Sequence, residues 1–81
     1  MKLQWVKIAS GVWVDRSTFY CIRRRSAGEH GWIGFEDRDI YEAHETYPGC
    51  PVEVIGVQAD LAHAKVDCQL HFDTSGMEEA A

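Results

Sequence analysis

Asp60, His63, Asp67 and His71 recur every three or four residues towards the end of this 81-residue chain. On a helix that spacing makes them neighbours on one face. Two imidazoles and a carboxylate so placed could ligate Zn²⁺ or a similar ion. No Cys-x-x-Cys pair or ligand from another element completes the set. The face is therefore read as solvated, and neither a metal nor another cofactor is expected. Cys68 and His71 form a Cys-x-x-His pair, but Cys68 falls on an apolar stripe, where a thiol behaves as a small hydrophobe. Cys50 sits in Pro48-Gly49-Cys50-Pro51, which reads as a loop. A nucleophile there would need a base and an oxyanion donor, and His44 is the only base close in sequence. Residues of these kinds occur in most chains of this length, so an enzyme is not expected.

Two charged groups bear on binding. Arg23, Arg24 and Arg25 lie near Tyr20, Trp13 and Trp32, and basic residues beside aromatics on a sheet can hold single-stranded RNA or DNA. Period-2 alternation sends Arg23 and Arg25 to one face and Arg24 to the other, so they do not form one patch. A formal charge of −5 also disfavours a protein that works by neutralising phosphates. The second group is Glu36, Asp37, Asp39, Glu42 and Glu45, which carries most of the net charge. With Tyr41 and Tyr47 it could dock an Arg/Lys-rich protein surface, although acids ordinarily just solvate an exposed face.

The elements that must position these residues follow from pattern. Aromatic and β-branched runs at Leu3–Ile8 and Val12–Val14 are split by Ala9-Ser10-Gly11, a hairpin signal. Thr18–Arg25 reads as the longest strand, and Ser26–Gly31 as turn chemistry. Trp32–Phe35 reads as a further strand, so the first 36 residues look like an antiparallel meander. Residues 38–47 read as a short acidic helix or an irregular loop, with Ile40, Ala43, His44 and Tyr47 at i, i+3, i+4, i+7 and Pro48-Gly49 as the stop. Val52–Val57 is the final strand, where Gly56 marks a bulge or a close backbone approach.

Residues 60–73 fit two periods. As a strand, Ala62, Ala64, Val66, Cys68, Leu70 and Phe72 would share a face. As a helix, Asp60 is the N-cap and Leu61, Ala64, Cys68 and Phe72 form the buried stripe. The helix is preferred, because Gln58-Ala59-Asp60-Leu61 lacks the Gly, Pro or Asn a hairpin would need. The segment is also rich in Ala, Leu, Lys and Gln. Thr74-Ser75-Gly76 reads as its stop, leaving residues 74–81 as a flexible tail.

A 46% hydrophobic content supports a packed core in one domain, residues 1–73. The three cysteines include no Cys-x-x-Cys pair, the start lacks an uninterrupted apolar run, and no membrane span is visible. A cytoplasmic protein is expected.

Gly31, Trp32, Gly34 and Phe35, followed by Leu61, Ala64, Lys65, Cys68, His71 and Phe72, resemble a pattern in small phage- and prophage-encoded proteins. These fold as a few antiparallel strands backed by a C-terminal helix, and some are anti-CRISPR inhibitors. The resemblance implies a phage or mobile-element inhibitor that blocks a surface of a bacterial defence complex in the host cytoplasm, without chemistry of its own.

The expected architecture is α+β: an antiparallel sheet of three to five strands, packed on one face by a helix at about residues 60–72. One helix covers only one sheet face, yet Phe19, Cys21, Tyr20 and Ile22 put apolar groups on both. The second face needs a cover: the acidic segment folding back, a second copy forming a homodimer, or a foreign protein. The expected function is protein binding through Glu36, Asp37, Asp39, Tyr41, Glu42, Glu45 and Tyr47. The alternative is nucleic-acid binding through Arg23, Arg24, Arg25 and Trp32.

Overall fold

The computed structural model describes residues 2–16, 19–46 and 53–80, with side chains described as far as residue 74. Its elements are β1 (Trp5–Ala9), β2 (Val12–Asp15), β3 (Tyr20–Arg25), β4 (Ile40–Glu45), β5 (Glu53–Gln58) and α1 (Leu61–Ala80). Sequence neighbours are sheet neighbours, in the order β1-β2-β3-β4-β5, and each pair is antiparallel. This is the expected α+β arrangement at the upper end of its strand count.

Local chemistry fixes the turns. Gly11 takes φ +73° between β1 and β2, a conformation that L side chains rarely adopt. Its carbonyl accepts from the Arg24 amide at 2.8 Å, tying the hairpin to β3. Asp15, only 2% exposed, accepts from the Tyr20 amide at 2.8 Å and so fastens the β2–β3 connection.

The helix stripe is as expected. Ala64 and Cys68 are fully buried in a cluster with Tyr20, Ile22 and Ala43, and Leu61 and Phe72 pack against it. Asp60 caps the helix by accepting from the His63 amide at 2.8 Å. The strand reading would bury Val66 and Leu70, which are 51% and 59% exposed. Gln69, on the flank of α1, accepts from the Leu3 amide at 2.8 Å and holds the chain ahead of β1. The expected stop at Thr74-Ser75-Gly76 is overrun, and α1 continues to Ala80. Those three residues each cost about 1 kcal/mol or less in a helix, and the Met, Glu and Ala that follow are good helix formers.

Gly56 meets both of its readings. The β4–β5 register shifts between Ala43 and His44, and α1 approaches the strand here. A Cβ on Gly56 would stand 2.9 Å from Cγ of Asp67.

Two expected elements are corrected. Where a helix or loop is expected at 38–47, Ile40–Glu45 form β4, between β3 and β5. The helical spacing of Ile40 and Ala43 is coincidental, since they lie on opposite sheet faces and both are fully buried. Tyr47 lies outside the described residues, as does Cys50. Trp32–Phe35 is not a strand but part of a turn-rich loop, where Phe35 N donates to Trp32 O at 3.2 Å. Gly34 there has φ +92°, which breaks any extended run.

Candidate functional site

The β3–β4 register sorts the charged residues by face. Cys21, Arg23 and Arg25 stand opposite His44, Glu42 and Ile40, on the face away from α1. Tyr20, Ile22 and Arg24 stand opposite Glu45, Ala43 and Tyr41, on the helix side. Arg23, Arg24 and Arg25 are thus divided as alternation requires. The acidic set is divided as well. Tyr41 packs on Trp13, with ring centroids 5.8 Å apart, and Glu45 lies 3.4 Å from His71 of the helix. Glu42 faces the other way.

Glu42 is the centre of the helix-free face. It is 7% exposed, and each carboxylate oxygen has a partner. Trp32 Nε1 donates to Oε2 at 2.7 Å, while His44 Nε2 and Arg25 Nη1 lie 3.3 Å and 3.6 Å from Oε1. A carboxylate only accepts, so the His44 proton is on Nε2. His44 Nδ1 is then a buried nitrogen with no partner among the described residues. An acid on an amphipathic stretch gives no sign in sequence that it will be buried. The signal available was the alternation that sends Arg23 and Arg25 to one face, where Glu42 stands opposite Arg23.

The indole contact anchors the loop between β3 and β4 over the helix-free face, whereas most of the acidic segment expected to fold back there is β4 itself. The loop is held by its own side chains. Ala27 N donates to Asp39 Oδ1 at 2.9 Å, and Asp39 also pairs with Arg24 at 3.2 Å. His30 Nε2 donates to Arg38 O at 2.9 Å, and Trp32 N donates to His30 Nδ1 at 3.3 Å. Glu36 accepts from Gly34 N at 3.1 Å. The backbone amides of Glu36 and Gly34 hold its carboxyl below its ordinary pKa. At the tip, Ile33 is 91% exposed and Trp32 38% exposed, with the exposed acids Glu36 and Asp37 beside them. The cover is partial, because Val6, Ile8 and Val54 remain 44%, 62% and 41% exposed.

On the helix-free face of β3 and β4 lies a groove of about 320 Å³, lined by Cys21, Arg23, Arg25, Glu42, His44 and Thr46. Burial raises the pKa of the Cys21 thiol, and the neighbouring Arg23 charge only partly offsets this. A thiol held protonated is a poor nucleophile even with an imidazole on the facing strand.

The spaced acids and histidines of α1 go separate ways. Asp60 pairs with His63, Asp67 accepts from Gln58 Nε2 at 2.9 Å, and His71 Nδ1 bonds Tyr20 OH at 2.8 Å. Among the described residues, no three His, Cys, Asp or Glu side chains are grouped to hold a metal ion. No described helix is long and apolar enough to cross a membrane. No protein-family model, curated protein or solved structure matches this chain.

Proposed function

We propose that this chain is a non-enzymatic protein-binding module, and that the tip of the β3–β4 loop is its docking element. The observation that carries the reading is Ile33, 91% exposed at the tip of a loop fastened at several points along its length. A large apolar side chain in water is unfavourable by about 1.5–3 kcal/mol relative to burial. Holding it there on an ordered loop lowers the entropy cost of docking. Glu36 and Asp37 beside it favour a partner pocket that is apolar within and basic at its rim.

The more specific form of the proposal is an inhibitor of phage or mobile-element origin that blocks such a surface on a CRISPR-type defence complex in the bacterial cytoplasm. A second copy of the chain is the other occupant the open face admits. The nucleic-acid reading is weaker, since Arg24 is paired with Asp39 and Arg25 with Glu42. Asp39 and Glu42 serve the loop's own fastening, so Ile33, Glu36 and Asp37 are the residues to change.

The test measures binding to purified CRISPR-type interference complexes and to single-stranded RNA, with sedimentation to read self-association. Ile33→Asp with Asp37→Lys should abolish binding to the complex, and Arg23→Gln should leave it. RNA binding that is lost only in the arginine variant would replace this reading with the nucleic-acid one.

A further inference from the structure

We propose that the groove on the helix-free face is a binding site for a small oxyanion, a carboxylate or phosphate group, held by Arg23 and steadied by Arg25. Its volume of about 320 Å³ lies at the lower end of the size of small-ligand pockets, roughly 300–1,000 Å³. Two guanidinium groups and one carboxylate line it, so it is locally cationic in a chain of net charge −5. The carboxylate is already committed. Glu42 accepts from Trp32 and His44 and pairs with Arg25 at 3.6 Å.

Arg23 has no ion-pair partner among the described residues, although it stands opposite Glu42 in the register. Arg25 is oriented from both sides, by Glu42 and by a 3.3 Å bond from Nη2 to Glu29 O. Cys21 adds no charge, because burial keeps its thiol protonated. A guanidinium that meets the Cys21 thiol but no carboxylate still presents a planar fork that matches a carboxylate or phosphate. The site lies on the sheet surface rather than at the loop tip and does not depend on docking through Ile33.

The register supplies an internal control. Arg24 sits between Arg23 and Arg25 in sequence but on the helix side, paired with Asp39. Backbone amide spectra should be followed while inorganic phosphate or acetate is added at ionic strength held constant with chloride. Saturable shifts confined to residues 21–25 and 42–46 are expected. Arg23→Gln should weaken them by about tenfold or more, Arg23→Lys by less, and Arg24→Gln hardly at all. A response to phosphate alone, acetate alone or both identifies the oxyanion and supports the site in each case. Shifts that never saturate, that survive Arg23→Gln, or that fall equally in Arg24→Gln would show only diffuse ionic attraction and overturn it.

Discussion

Gly56 of β5 and Asp67 of α1 meet so closely that position 56 has room for little beyond hydrogen. A Cβ there would stand 2.9 Å from Asp67 Cγ and 3.2 Å from its Cβ. Asp67 is held in place, since its Oδ2 accepts from Gln58 Nε2 at 2.9 Å. Gly56→Ala should therefore destabilise the fold by about 1–3 kcal/mol in urea unfolding. In an Asp67→Ala background the same change should cost markedly less, because the closest crowding atoms, those of the carboxylate, are gone and only Cβ remains. An equal cost in both backgrounds would mean that the helix does not press on the strand at this point.

Asp60 links helix stability to pH. The His63 backbone amide, and then the His63 side chain, hold its carboxyl below the ordinary carboxylate pKa. A depressed folded-state pKa stabilises the fold fully above the unfolded value, and the effect is lost as pH falls through the folded one. Asparagine caps a helix about as well as aspartate but cannot titrate. Wild type should thus melt above Asp60→Asn near neutral pH, and the gap should close in acid below the normal carboxylate range. A gap that does not change with pH would remove the charge from the explanation.

Cys68 and Val66 separate burial from sequence pattern. Cys68 is fully buried, and its thiol pKa is pushed up to about 12, first by burial and then by the nearby Asp67 charge. In native protein at mildly alkaline pH, Cys68 should resist alkylation long after Cys21 has reacted, as read by mass spectrometry in a Cys50→Ser background. Cys68→Asp should unfold the domain, because an unpaired carboxylate in this core costs several kcal/mol. Val66→Asp, at a position 51% exposed, should change stability by only about 0.5 kcal/mol. Comparable damage from both would contradict the helical stripe.

The helix was legible because Leu61, Ala64, Cys68 and Phe72 repeat at its period and Asp60 caps it. Alternation in β3 was legible for the same reason: Tyr20 and Ile22 are buried while Arg23 is exposed. The β4 strand was obscured because its acids do not behave as solvated acids. Glu42 and Glu45 find indole, arginine and histidine partners from distant parts of the chain, and those pairings exist only after folding. Trp32 was legible as an aromatic beside arginines. Its attachment to an acid ten residues later was not, since the Gly34 turn that swings the loop back looks in sequence like a gap between strand residues.

The order of elements also governs how the chain acquires its structure. Each strand pairs with its successor, so the meander can form from short loop closures as it is synthesised. The side of the sheet bearing Tyr20, Ile22 and Ala43 has no cover until α1, which follows all five strands, has been made. On the ribosome the half-built chain therefore carries an exposed sticky surface for the time needed to synthesise Leu61 to Phe72. At about 5–20 residues per second that interval is of the order of a second. Docking of the last element is the step at which aggregation and productive folding compete.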